Sequence, residues 1–253
     1  MPRPVEAITF DLWDTIVIDD SDEPKRAAQH LRPKSEARPF CIYEALSRHT
    51  DLSFDTVRLA YNTANAAFNV AWKDLHVTWT VPQRLDIIFK GLGVTLPKDD
   101  LAALVETLEN MEVVIRPDPI PGVHDTLKSL SQKYPLAIIS DAIFSPGRAL
   151  RQLLEGEGLL GCFSATVFSD ETGFSKPDPR VFQSAAEQLN VKLENIVHIG
   201  DRDHNDVKGP QSLGARAVLF TASRDKDKEN TTADAICERY EDLEAIIAKL
   251  DER

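Results

Sequence analysis

Beyond residue 122 the chain alternates short apolar runs with amphipathic segments, and this restricts its fold more than any other feature. Residues 136–139, 165–168, 196–199 and 217–220 are short and predominantly apolar, and residues 5–10 form a similar run near the start. Around them, residues 123–133, 146–155, 179–189, 205–213 and 240–250 carry apolar residues at helical spacing. Strands this short and this apolar are covered on both faces, which calls for parallel strands joined by helical crossovers. The pattern predicts an α/β fold built on a Rossmann-like, doubly wound parallel sheet. In such sheets a ligand lies at the carboxyl ends of the strands. Asp11, Ser140 and Asp201 all fall at those ends.

The texture differs between residues 19 and 117. Residues 42–48, 54–72, 82–91 and 99–111 repeat apolar positions every three or four residues, predicting four helices and no strand. Ser53 ahead of Phe54, and Pro97-Lys98-Asp99, supply helix starts. Residues 23–39 are polar, basic and proline-containing, and read as a long loop or a broken helix. Pro117-Asp118-Pro119-Ile120-Pro121-Gly122 has the composition of a loop or hinge. The expected organisation is a core of residues 1–18 and 118–253, with a helical cap, residues 19–117, inserted between them.

Charge narrows the partners. The chain holds 29 Lys plus Arg against 41 Asp plus Glu, a net charge of −12. That balance argues against nucleic acid and anionic membranes, and leaves a small-molecule substrate and a monomer or homodimer. No apolar run approaches the ~18 residues of a membrane span, and the start lacks a secretory pattern, so a cytoplasmic location is expected. Cys41, Cys162 and Cys237 are odd in number and widely spaced, which fits reduced thiols better than disulfides or zinc.

Asp11, Asp201 and Asp206 can gather at the strand ends despite their distance in sequence. Clustered carboxylates repel one another unless a cation sits between them, and a few oxygen ligands suit Mg²⁺. Taken singly, each acid could instead cap a helix or turn. Four stretches occur in order: FDLWDT, IISDA, FSKPDPRVF and HIGDRDHNDVKG. With these the chain resembles the haloacid dehalogenase superfamily of aspartyl-nucleophile hydrolases. The resemblance implies that Asp11 is the nucleophile, and that Ser140 and Lys176 are catalytic groups holding the transferred group, with Asp141 beside it. It further implies that Asp11, the backbone carbonyl of Trp13, Asp201 and Asp206 organise Mg²⁺. The activity implied is a Mg²⁺-dependent hydrolase, above all a phosphatase for a small phosphorylated metabolite.

One position departs from the family. Its phosphatases place a general-acid aspartate two residues after the nucleophile, where this chain has Trp13. A positioned acid contributes about 10²–10⁴ in rate, or roughly 3–5 kcal/mol of barrier, when the leaving group needs a proton. Asp14 is the alternative acid/base. Otherwise the leaving group departs unaided, as in a 2-haloacid dehalogenase-like hydrolase, or the protein binds a phospho-ligand without turnover. The intact GDRDHND run favours the metal-dependent branch. Asp141 stands where the family usually has Asn, either adding charge near the phosphate or bonding a backbone amide. His204 reads as a solvent-facing loop residue, Trp72 and Trp79 as cap core or pocket lining, and Arg148 and Arg202 as weaker anion contacts. Residues 224–230 read as a charged, exposed loop.

Overall fold

The structure is a computed structural model that describes residues 4–252. Strands β1 (Ala7–Phe10), β2 (Leu136–Ser140), β3 (Ala165–Phe168), β4 (Ile196–Gly200), β5 (Arg216–Phe220) and β6 (Ala235–Cys237) form one sheet. All pairs are parallel, in the order β3-β2-β1-β4-β5-β6. The first strand in sequence is therefore central. β6 lies outside the sequence expectation: at three residues, with Ile236 exposed, it is too short for a periodic signal.

Between β1 and β2 the chain forms α1 (Asp22–Ala28), α2 (Lys34–Ser47), α3 (Phe54–Leu75), α4 (Val81–Leu92), α5 (Lys98–Glu109), α6 (Met111–Val114) and α7 (Val123–Leu130). Later helices are α8 (Gly147–Gly156), α9 (Ser169–Thr172), α10 (Pro179–Leu189), α11 (Gly209–Gln211) and α12 (Tyr240–Asp251).

Helix starts follow local chemistry. Ser53 Oγ accepts the Thr56 amide at 3.2 Å, Thr80 and Gln83 form a reciprocal capping box, and Gly93 ends α4 in the left-handed region at φ +67°. Residues 23–39 prove to be the broken helix: they span α1 and the start of α2, so the segment expected at 42–48 is only the second half of α2. The first half gives no helical signal because it is polar and carries Pro39, while Lys34 is buried through ion pairing rather than apolar packing. The helix expected at 205–213 is a π-helical turn, Asp203–Lys208, followed by the short α11.

Alternation along the strands sends side chains to both faces of the sheet. Ile8, Phe10, Ile138, Ile199 and Val218 pack with Leu127, Leu150, Leu153, Leu243 and Ile247 of α7, α8 and α12. On the other face Ile139 and Val167 meet Val181, Phe182 and Ala185 of α10. Truncating any one of the buried Leu or Ile side chains among these to Ala costs about 2–5 kcal/mol. A separate cluster, including Ile42, Leu46, Val57, Leu85, Phe89, Leu104 and Leu108, belongs to α2–α5. The helical insert joins the sheet through a neck in which the Ile18 amide donates to Asp118 O and the Ile120 amide to Ile16 O, each at 2.9 Å.

Register aligns the functional ends. Phe10 pairs with both Ile138 and Ile199, and the Asp11 amide donates to Ile199 O at 2.8 Å. Asp11, Ser140 and Gly200 therefore finish side by side under the helical insert.

Candidate active site

Three acids converge as the sequence predicts. One carboxylate oxygen each from Asp11, Asp201 and Asp206 lies within 4.8 Å of the others, and all three residues are buried. Asp11 leaves the end of β1 and Asp201 follows β4. Asp206 returns to them on the π-helical turn, where its Oδ2 accepts the Arg202 amide at 3.0 Å. Gly200 makes that return possible: a Cβ there would lie 2.4 Å from Asp206 Cγ.

Lys176 joins the cluster. Its Nζ is 2.6 Å from Asp11 Oδ1 and 2.7 Å from Asp206 Oδ1, with the side chain 3% exposed. Burial lowers its pKa, but Asp11, Asp206 and Asp141 outweigh that and hold the ammonium charged well above its usual range. Burial pushes Asp206 up, and Lys176 and His198 overcome it, keeping this carboxyl ionised far below the ordinary carboxylate range. Asp11 rises to about 6, chiefly through burial and against the pull of Lys176, with Asp206 adding repulsion. It remains mostly a carboxylate at neutral pH.

Asp201 is different. Burial first, then the charges of Asp206 and Asp11, push it up to about 8. Both of its oxygens are buried without a hydrogen-bond partner. Arg202 and Arg224 approach Oδ2 only to 3.8 and 3.6 Å. An orphaned carboxylate costs several kcal/mol unless something compensates it. A hard cation coordinated by oxygen supplies that compensation, so the donor set fits Mg²⁺.

The remaining sequence candidates divide. Ser140 is buried at the end of β2 with an unpartnered Oγ, leaving its hydroxyl available to an incoming oxygen. Asp141 takes the backbone-amide option: Oδ1 accepts the Lys176 amide at 2.9 Å and Oδ2 accepts Trp72 Nε1 at 3.1 Å. Burial raises its pKa, against Lys176. It thereby fixes the loop carrying Lys176 and links the insert to the sheet. Asp14 Oδ1 accepts Ser223 Oγ at 2.6 Å and the Asp19 amide at 3.2 Å.

The cleft above the acids encloses about 290 Å³, lined by Asp11, Trp13, Lys176, Arg202 and Asp206 below and by Lys34, Arg38, Trp72 and Phe144 above. Asp19 and Glu112 also line it, and Asp14 does not. Arg148 instead pairs with Glu109 and bonds Asn110. Trp79 packs against Phe68, and His204 is exposed as expected.

Two contributors were not visible in the sequence. His198 lies in the middle of β4, with Thr9 Oγ1 at 2.8 Å from Nδ1 and Asp206 Oδ1 at 3.2 Å from Nε2. Burial lowers its pKa although Asp206 opposes this. The neutral ring then accepts from Thr9 and donates to Asp206, so its tautomer follows from its partners. A lone polar residue inside the apolar run IVHIG was the available signal. Arg224 belongs to the run 224–230 that composition marks as an exposed loop. It is half-buried, and its Nη1 donates to Asp201 O at 2.8 Å and to Asp227 Oδ2 at 2.9 Å. Asp227 Oδ2 in turn accepts the Asp203 amide at 3.2 Å. That loop buttresses the turn that carries Asp201 and Asp203.

Known proteins share the family and the fold. Residues 5–214 match the family of haloacid dehalogenase-like hydrolases, and the chain belongs to it. A glyceraldehyde 3-phosphate phosphatase of Pyrococcus furiosus is 28% identical over 219 residues, 86% of this chain and 81% of that protein. A phosphoserine phosphatase of Thermus thermophilus is 41% identical over a shorter stretch, 27% of each chain. The crystal structure of a HAD phosphatase from Thermococcus onnurineus shares the fold with a TM-score of 0.64 at 24% identity, covering 96% of this chain and 97% of that one. The chain is thus a hydrolase of this family. Among the described residues no helix is long and apolar enough to cross a membrane.

Proposed function

We propose that the chain is a Mg²⁺-dependent phosphatase that hydrolyses a small phosphorylated metabolite through an aspartyl-phosphate on Asp11. The observation that carries this reading is the pair of unpartnered, buried Asp201 oxygens beside Asp11 and Asp206. Asp201, Asp206, Asp11 and the Trp13 carbonyl would hold Mg²⁺, which supplies positive charge against the repulsion between carboxylate and phosphate.

The chain's own groups account for the rest. An Asp11 oxygen forms a bond to phosphorus as the ester oxygen departs with the bonding electrons. Lys176 and Ser140 hold phosphoryl oxygens in line, Lys176 as a fixed charge and Ser140 as a hydroxyl donor. Water then cleaves the acyl phosphate and restores the carboxylate. A cleft of about 290 Å³ suits a ligand of only a few carbons beyond the phosphate. The names of the Pyrococcus and Thermus relatives support phosphate-ester chemistry. The free thiols at 41, 162 and 237 support a reducing, cytoplasmic setting.

A panel of small phosphate esters and 2-haloacids, assayed with Mg²⁺ and with chelator, tests the proposal. Phosphate release that chelator abolishes is expected. Halide release insensitive to chelator would replace the reading with a dehalogenase. Inactivity on every compound, together with binding of inorganic phosphate, would leave a binding protein.

A further inference from the structure

Position 13 holds an indole where the family's phosphatases carry a proton donor, and other acids line the cleft. Among the described residues the cleft is lined by Asp11, Asp19, Asp20, Glu112, Asp141 and Asp206. Most are already engaged. Asp11 and Asp206 hold Lys176, and Asp141 uses both oxygens on Lys176 N and Trp72 Nε1. Glu112 meets Lys34, Arg38 and Ser145. Asp20 pairs with Lys34 at 3.2 Å and is largely in solvent.

Asp19 makes no ion pair among the described residues and, unlike Asp141, does not have both oxygens taken. Its Oδ1 accepts only the neighbouring Asp20 amide, at 3.0 Å. Its backbone is nevertheless held firmly. The preceding residue, Ile18, is bonded to Asp118 in the neck, and the Asp19 amide donates to Asp14 Oδ1. Asp14 accepts Ser223 Oγ and that amide on Oδ1, and unlike Asp19 it does not line the cleft.

Resting on the phosphatase reading above, we propose that Asp19 is the general acid and base of this enzyme, in place of the aspartate missing at position 13. When the ester oxygen leaves phosphorus with the bonding electrons, the Asp19 carboxyl gives it a proton and becomes a carboxylate. In the second half the attacking water gives a proton back to Asp19 as its oxygen bonds to phosphorus. The phosphorus–Asp11 bond breaks, and the Asp11 carboxylate and inorganic phosphate are restored. No oxidant or co-reactant is required.

The electrostatics agree. Crowding by the cleft walls, then the charges of Asp20 and Asp14, push Asp19 up to about 6, with Lys34 opposing and Glu112 adding. An acid near that value exists in both forms at neutral pH, which suits a group that must donate and then accept. Its exposed side allows exchange with solvent between turnovers.

The test compares Mg²⁺-loaded wild type with Asp19→Asn on a simple alkyl phosphate and on p-nitrophenyl phosphate, whose leaving group needs no proton. The alkyl-to-aryl rate ratio should fall by about 10²-fold in Asp19→Asn, within the range for a positioned acid, and recover in part in Asp19→Glu. Loss of structure or of metal would lower both rates and leave the ratio unchanged. An unchanged ratio in a variant that still cleaves both esters overturns the assignment alone. A ratio that falls in Asp14→Asn but not in Asp19→Asn gives the role to Asp14. If wild type cleaves neither ester, the phosphatase reading fails and this inference with it.

Discussion

Asp201 should be a liability until a cation arrives, so Asp201→Asn should stabilise the metal-free protein while destroying its function. The carboxyl is 1% exposed and rises from 3.8 to about 8, through burial and then the charges of Asp206 and Asp11. A group held above its unfolded value binds more protons in the folded state, so stability falls as pH rises between the two values. Relative to acid, the loss begins near pH 4 and is complete near pH 8. At pH 7 about three units separate the solution from the unfolded value, and at roughly 1.36 kcal/mol per unit the cost approaches 4 kcal/mol. Even a third of this should raise the melting temperature of the variant by about 3–5 °C in a chain of this size. The assay is thermal unfolding in chelator from pH 4 to 8, with and without added Mg²⁺. The variant's advantage should vanish near pH 4 and grow toward pH 8, and Mg²⁺ should stabilise wild type more than the variant. A variant that melts at or below wild type in chelator at pH 7–8 would refute the account of Asp201 as a carboxyl whose ionisation the fold opposes.

Three other outcomes are expected. Asp11→Asn is nearly isosteric and should reduce phosphate release to a trace with the circular dichroism spectrum unchanged; substantial residual turnover would remove Asp11 as nucleophile. Gly200→Ala sets a methyl against the Asp206 carboxylate, and calorimetry should show Mg²⁺ binding weakened by about tenfold or more, in line with the 10–100-fold typical when a ligand's support is disturbed. Trp13→Asp places a carboxyl two residues after the nucleophile, and should return alkyl-phosphate activity to an Asp19→Asn protein, up to ~10² of the lost rate.

How far the sequence disclosed this molecule depended on whether a residue's role was set by its neighbours in the chain. Asp11, Ser140 and Asp201 were legible because each ends an apolar run, and the fold puts strand ends together whatever intervenes. Lys176 was legible through the rigid Ser-Lys-Pro-Asp-Pro run, whose Asp178 caps α10 by accepting the Arg180 amide at 2.9 Å. His198 was hidden because a buried strand histidine has no periodic signature, and its partners Thr9 and Asp206 meet it only once the strands are assembled. Arg224 and Asp19 lie in loops of ordinary charged composition, and their importance comes from what folds over them. The first half of α2 was missed because its buried Lys34 is held by Asp22 at 2.7 Å rather than by an apolar stripe. β6 was too brief for any pattern to announce it.

The central position of β1 has a consequence for how the protein is made. This strand emerges first during synthesis, yet its partners Leu136–Ser140 and Ile196–Gly200 are among the later residues to appear. At about 5–20 residues per second the first of them follows roughly 6–25 s later. Throughout that interval the most buried strand of the finished sheet is an unpaired, sticky segment. Its make-up limits the hazard: it is four residues long, shorter than the six or seven that nucleate cross-β stacking, and Glu6 and Asp11 flank it with charge. Asp11 would thus serve the nascent chain as a gatekeeper before it serves the folded enzyme.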